Sequence, residues 1–438
     1  MSVAEQFFAG LAPVRYAGPD STDPLAYRWY DPERVVLGKP MAEHFKFAVA
    51  YWHTLAWPGS DMFGPGTFDR SWQDGNTLAH ADDKAELMFA VCDLLGVQHY
   101  CLHDADAAPL GETLAEASRN LDHVTEVLHA KQAATGVKLL WGTANLFSHP
   151  RYMAGAATNP DPAVFAYACG QVAKMMEVTH RLGGSNYVLW GGREGYETLL
   201  NTDIGQELDQ LGRFMSMVVE HKHKIGFSGP LLIEPKPCEP TKHQYDYDVA
   251  AVAGFLRKYG LEKEFKLNLE VNHATLAGHT FEHELALAAS QGLLGSVDVN
   301  RGDPQNGWDT DQFPNQLGEW VLAIHQIVKA GGLGNGGFNF DAKVRRQSID
   351  AVDLLHGHAG AIDLCAHALL IVEKLLADGT FDAFRTARYA GWRDGLGADV
   401  LAGRMTLADA AAHATTTPAP TPRSGRQEYL ENLVNRFG

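Results

Sequence analysis

Eight short, nearly all-apolar runs, separated by stretches with helical periodicity, constrain the fold of this chain more than any other feature. The runs are FKFAVAYW (45–52), HYCLHD (99–104), KLLWGTANL (138–146), SNYVLWGG (185–192), LLIEPKP (231–237), KLNLEVNH (266–273), LGSVDVN (294–300) and GGFNFDAK (336–343). Unbroken apolarity suits strands covered on both faces, as in a parallel sheet; a sheet wet on one face would alternate. Between the runs, segments such as DKAELMFAVCDLLG, ETLAEASRNLDHVTEVLHAKQAATG and DPAVFAYACGQVAKMMEVTHRLGG carry apolar residues at helical spacing. Several close on Gly, the residue that best accepts a left-handed helix C-terminus. Strand then helix, repeated eight times, is the count of a closed (β/α)8 TIM barrel. An open doubly wound sheet is the alternative, but no GxGxxG opens a helix after the first strand to support a dinucleotide fold.

The barrel is expected over residues 41–378. Residues 1–40, rich in Pro, Asp and Tyr, read as a loop-rich N-terminal extension. Residues 379–438, with FDAFRTARYAGW, the low-complexity linker ATTTPAPTPRSG and the tail QEYLENLVNRF, read as an extended helical C-terminal arm for subunit contacts. Apolar residues make up 45% of the 438, enough for a large core over most of the length. The formal charge of −17 argues against nucleic acid and anionic membrane as partners. Five cysteines without a CxxC pair favour reduced thiols and a cytoplasmic setting. No signal-peptide pattern opens the chain, and no apolar stretch approaches the ~20 residues of a membrane span.

In such a barrel the side chains at the C-terminal ends of the strands make the active site. Those ends carry Trp52, His53 and then Trp57; His103, Asp104 and Asp106; Phe147; Trp190; Glu234 and Lys236; Glu270 and His273; Asp298; and Asp341 with Lys343. Asp309 and Asp311 follow Asp298 in GWDTDQ. Any one of these acids alone reads as a solvated loop residue or a helix cap. Six converging on one face repel one another unless a strong positive partner is present, and proteins usually supply it as divalent metal. Six carboxylates with one imidazole, His273, suit Mg2+, Mn2+ or Co2+ better than structural zinc. Two such ions and Lys236 bring the set within one charge of neutrality; a single ion leaves a larger excess.

Other positions carry two readings each. Lys236, two residues beyond Glu234 on the same side of the strand, is either an ion-pair partner at the mouth or a donor to a substrate oxygen. Lys343 reads as a charge partner of the acids. His103 alone at a strand end reads as a structural histidine; with Asp106 three residues on, a carboxylate can fix one ring nitrogen and aim the other, as a proton-handling or sugar-binding histidine requires. Trp52, Trp57, Phe147 and Trp190 are either core packing or a platform against a sugar ring. A metal-dependent phosphodiesterase on this barrel would call for more histidine ligands and a basic surface, and a non-catalytic sugar-binding protein would need neither the metal set nor Lys236.

Taken together, YWHTLAWPGSDMFGPGTFDRSW, LHDAD, TANLFSHPRYMAGAATNPD, VLWGGREGYETLLNTD, IEPKPCEPTKHQYD, LEVNHATLAGHTFEHE, DVNRGDPQNGWDTDQFPN and GGFNFDAKVRR closely resemble the xylose isomerase family, in register from about residue 40 to 378. The tail SGRQEYLENLVN resembles that family's C-terminus, and the long N-terminus its larger-subunit subgroup. The resemblance implies an aldose–ketose isomerase converting D-xylose to D-xylulose, and D-glucose to D-fructose more poorly, by ring opening and a metal-assisted hydride shift between C2 and C1. It implies two divalent cations per subunit, Mg2+ before Mn2+ or Co2+. Glu234, Glu270, Asp298 and Asp341 match the first ion's ligands; Glu270, His273, Asp309 and Asp311 match the second's. His103 and Asp106 match the pair at the sugar ring, and Lys236 the lysine near the substrate carbonyl. Trp52, Phe147 and Trp190 match the aromatic walls, and Phe63 a residue inserted into a neighbouring subunit's site. A cytoplasmic homotetramer acting on a small aldose, with neither nucleic acid nor membrane as partner, is the implied setting.

Overall fold

In a computed structural model that describes residues 1–437, each apolar run forms a strand: β1 (Phe47–Ala50), β2 (His99–His103), β3 (Lys138–Thr143), β4 (Asn186–Trp190), β5 (Leu231–Glu234), β6 (Phe265–Glu270), β7 (Leu294–Asp298) and β8 (Phe338–Phe340). They pair in parallel, in chain order, and β8 closes the ring on β1, so the expected (β/α)8 barrel is the fold. One main helix follows each strand: α1 (Leu78–Leu95), α2 (Leu114–Thr135), α3 (Pro162–Arg181), α4 (Ile204–Ile225), α5 (Val249–Tyr259), α6 (Phe281–Ser290), α7 (Leu317–Lys329) and α8 (Ala351–Asp378). Thr77, Thr113, Asp161, Asp203 and Asp248 cap the first five helices with side-chain oxygens. Of the glycines that close the quoted segments, Gly96 and Gly136 are left-handed C-caps, whereas α3 ends on Leu182; Gly226 and Gly260 cap α4 and α5 in the same left-handed way.

The barrel is filled, not hollow. Ala48, Cys101, Leu140, Trp141, Val188 and Leu232 form a buried plug against which Trp52 packs. Strand spacing demands a small residue where β8 approaches β1: a Cβ on Gly337 would sit 2.5 Å from the Lys46 carbonyl oxygen. Parallel register then sets the site. Glu270 lies beside Asp298, Asp298 beside Asn339, and Trp190 beside Glu234.

The chain divides into two compact units, Met1–Ala366 and His367–Gly438. The first contains the barrel strands, a capping-box helix at Val3–Phe7 and two small antiparallel ribbons, Val35–Val36 with Lys39–Pro40 and Gly195–Tyr196 with His243–Gln244. The second holds the C-terminal part of α8 and helices Thr380–Arg388, Gly395–Leu401, Leu407–Thr416 and Gln427–Phe437. The Lys374 ammonium donates to the Phe437 carbonyl at 3.2 Å, tying the last helix to α8. Among the described residues no helix is long and apolar enough to cross a membrane.

Candidate active site

A cavity of about 180 Å³ opens at the C-terminal ends of the strands. Trp52, His103, Trp141, Phe147 and Trp190 line one side; Glu234, Lys236, Glu270, His273, Asp309, Asp311 and Asp341 line the other. Carboxylates on β5 to β8 and aromatics on β1 to β4 thus meet as an acidic floor against an apolar wall. Asp298 lies beneath, fully buried.

Ligand atoms of Glu234, Glu270, Asp298 and Asp341 all fall within 4.8 Å of one another, and so do those of Glu270, Asp309 and Asp311. Glu270 belongs to both groups. His273 joins Glu234 and Glu270 in a third such group. Its Nε2 is 3.0 Å from Glu270 Oε2 and 3.4 Å from Asp309 Oδ2. Its Nδ1 is buried without a hydrogen-bond partner. Asp311 adopts a positive φ of 43°, a conformation Asp tolerates better than most residues.

Burial first, then repulsion from one another and neighbouring carboxylates, pushes Glu234, Glu270 and Asp298 well above the usual carboxylate range. Two acids go the other way. Burial acts to raise Asp309, but the Lys236 ammonium, donating to its Oδ2 at 2.6 Å, outweighs this and holds it well below. Asp341 is likewise buried and still lowered, by His53 and by the Trp52 indole N–H that donates to its Oδ1 at 2.8 Å. His53 Nε2 stands 2.8 Å from Asp341 Oδ1 and 3.1 Å from Asp311 Oδ2; burial lowers its pKa, but these two carboxylates raise it to about 9. The donor set, the mutual repulsion of buried acids and the orphaned His273 nitrogen all fit hard divalent cations.

His103 Nδ1–H donates to Asp106 Oδ2 at 2.7 Å, which leaves Nε2 as the free nitrogen. The His103 ring packs edge-on against Trp52 and Phe147, with centroids 4.5 and 5.7 Å away. Phe147 meets Trp190 edge-on at 4.4 Å, and the Lys236 ammonium sits 5.3 Å over the Trp190 ring. Asp104 is not at the site: its buried carboxylate accepts from Ala105 N, Asn145 N and Gln171 Nε2. Lys343 pairs with Asp311 at 2.9 Å.

Trp57 and Phe63 lie outside this cavity, along a neighbouring groove that also includes Trp308 and Arg346. Trp57 turns away because its indole N–H donates to the Ser60 carbonyl at 3.0 Å while its ring packs edge-on against Phe68. Phe63, 78% exposed beside an exposed Met62, projects from the loop.

The residues that sequence reasoning passed over are the asparagines under the acids. Asn268 Nδ2 donates to Glu234 Oε2 at 2.9 Å and to Asp298 Oδ2 at 2.7 Å. Asn339 Nδ2 donates to Asp298 Oδ1 at 2.8 Å, and Asn300 Nδ2 to Glu270 Oε1 at 2.7 Å. Asn272 Nδ2 donates to Asp309 Oδ1. A signal was available: Asn268 and Glu270, Asp298 and Asn300, and Asn339 and Asp341 are each spaced by two, so each pair starts out on the same face. His53 was visible at the end of the first run, but its reach to Asp311 and Asp341 was not.

A family model described as the XylA2 C-terminal domain matches residues 385–438. The chain is 60% identical over 432 residues to the xylose isomerase of Mannheimia succiniciproducens, covering 98% of this chain and 99% of that protein. It is 59% identical over 433 residues to the xylose isomerase of Pseudomonas syringae pv. syringae, and 58% identical over 433 residues to that of Actinobacillus pleuropneumoniae, with 98% of this chain and 99% of the relative covered each time.

Proposed function

The chain belongs to the xylose isomerase family, and from that premise we propose how its barrel mouth interconverts D-xylose and D-xylulose. The observation that carries the reading is the convergence of six carboxylates and His273 opposite an aromatic wall that holds the His103–Asp106 pair. Glu234, Glu270, Asp298 and Asp341 would hold one divalent cation, and Glu270, His273, Asp309 and Asp311 a second. Mg2+ is the preferred ion, with Mn2+ or Co2+ as substitutes. When bound, such ions supply Lewis acidity, lowering the pKa of a nearby hydroxyl and offsetting charge that develops on oxygen.

The chain's own residues do the rest. Asp106 holds the Nδ1–H of His103, so Nε2 handles the proton at the ring oxygen when the cyclic sugar opens. Trp52, Phe147 and Trp190 cover the apolar face of the opened chain and keep water from C1 and C2. The proton that leaves O2 is returned to O1, so none is gained or lost overall; between the two transfers O2 closes to the C2 carbonyl while the hydrogen on C2 moves with its electron pair to C1. The O1 carbonyl becomes a hydroxyl, and Lys236, aimed by Asp309, donates to that oxygen as its charge builds. D-glucose to D-fructose is the slower second reaction.

Metal-stripped protein should be silent with D-xylose and give D-xylulose once Mg2+ or Mn2+ is restored. In D2O the migrating hydrogen should stay protium; wholesale deuterium at that carbon would replace the hydride route with an enediol. We extend the reading to a cytoplasmic homotetramer. The five free cysteines and the exposed Met62–Phe63 tip support it, and sedimentation of the purified protein tests the assembly.

A further inference from the structure

Among the described residues outside the barrel mouth, one cluster of metal-ligating side chains is built and unused. It lies at the N-terminal ends of α5 and α6. Ligand atoms of His279, His283 and Glu284 lie within 4.8 Å of one another. Glu284 is 4% exposed, and its two oxygens fare differently. Oε2 accepts the Val249 backbone N–H at 3.0 Å, while Oε1 is buried with no hydrogen-bond partner and faces His283 Nε2 at 3.9 Å. A buried carboxylate oxygen left this way is costly unless a cation or donor completes it. The two imidazoles stand with centroids 4.8 Å apart. Asp248 Oδ1 caps α5 through Ala251 N at 2.8 Å, and its Oδ2 lies 3.2 Å from His279 Nε2. A carboxylate that takes one imidazole N–H leaves the other ring nitrogen with its lone pair, the arrangement that orients metal-binding histidines.

We propose that His279, His283 and Glu284 form a further cation site that takes a borderline divalent ion of the Zn2+ class, with Asp248 orienting His279. The ligand chemistry selects the ion. Two imidazoles and one carboxylate suit Zn2+ better than Mg2+, which prefers sets dominated by oxygen, such as the three carboxylates and one imidazole at the barrel mouth. The charges close as well, since two neutral imidazoles and the carboxylates of Glu284 and Asp248 balance one divalent ion. That balance matters because the start of α6 disfavours a bare cation. Bond lengths near 2.0–2.1 Å put tetrahedral ligand atoms about 3.4 Å apart, so small side-chain rotations close the set. The ion would clip the turn that precedes α6 to the first turn of that helix, with α5 joined to it through Asp248 and His279.

The test counts Zn2+ on the intact protein with Mg2+ in fixed excess. Wild type should retain one more Zn2+ per chain after dialysis than the double variant His279→Ala/His283→Ala, so Zn2+ exchanging into the barrel mouth cancels in the difference. Glu284→Gln, which keeps an acceptor for Val249 N–H, should lose the same ion. Anomalous diffraction at the zinc edge should place a peak among the three side chains, and Zn2+ should raise the melting temperature of wild type more than that of either variant. Xylose turnover with Mg2+ should be the same in all three proteins. Equal Zn2+ stoichiometry in wild type and the double variant, or zinc peaks only at the barrel mouth, overturns the proposal.

Discussion

Replacing Asn268 with Leu tests whether the buried asparagines prepare the carboxylates for cations. Asn268 is fully buried and gives its amide hydrogens to Glu234 and Asp298 at 2.9 and 2.7 Å. A hydrogen bond to an ionised group is worth about 1.5–3 kcal/mol, so the two together come to about 3–6 kcal/mol. The change also removes a liability, because Asn268 Oδ1 is buried without a partner, and relieving it returns about 1–3 kcal/mol. The net loss is centred on ~2.5 kcal/mol, within limits of about 0–5 kcal/mol, distributed between folding and cation binding. Loss of such a supporting partner typically weakens a metal site about 10–100-fold. Calorimetric titration of metal-stripped protein with Mg2+ should therefore show at least one site weakened by that factor. The control is Asn186→Leu. Asn186 is equally buried, but its amide donates to the Leu140 and Asn335 carbonyls, away from the acids. It should cost stability and leave Mg2+ affinity alone. If Asn268→Leu folds cooperatively and binds both ions within twofold of wild type, the asparagines are packing residues and the reasoning fails.

Asp309→Asn should lose turnover far more than melting temperature; a wild-type rate would remove Asp309 from the second cation's ligands. Lys236→Met should lower kcat by about 10²–10³ with little change in Mg2+ stoichiometry, the usual effect of deleting one preorganised donor, and steady-state kinetics would expose an unchanged kcat. His358 supplies the pH test. It is buried against Phe313 and Phe340, and burial lowers its pKa from 6.5 to about 4. The unfolded chain takes up the proton first, so this stability is complete above pH 6.5 and lost as pH falls to 4, about 3 kcal/mol in all. Urea unfolding should show wild type losing that much relative to His358→Phe over this range, and a pH-independent difference would contradict it. Gly337→Ala should be strongly destabilising by thermal melt, since its Cβ meets backbone 2.5 Å away.

The barrel and the acids were legible in the sequence. Every apolar run became a strand, and the run ends that carry Glu234, Glu270 and Asp341 became the mouth, with Asp298 buried beneath it. Partner choice was less legible. The chain places Lys236 two residues from Glu234, yet its ammonium pairs with Asp309, 73 positions away. Trp57 stands only five residues beyond Trp52, the last residue of the first run, but a local hydrogen bond to Ser60 turns it out of the cavity. The supporting asparagines share the period of the acids they hold, but Asn is also an ordinary turn residue, so composition does not single them out.

The sequence by itself determined the eight strand–helix units, the acidic character of four consecutive strand ends and the histidine–aspartate pair, because periodicity, charge and short spacing are local properties of the chain. Only the tertiary structure decided which acids share a neighbour, that His53 on the first strand end reaches Asp311 and Asp341, and that Asn268 spans Glu234 and Asp298. These contacts exist because the ring closes. Pairing β8 with β1 brings together residues nearly 300 positions apart, as in Trp52 to Asp341 with a separation of 289. No local pattern encodes that approach; it follows from satisfying the edge hydrogen bonds of the first and last strands with each other.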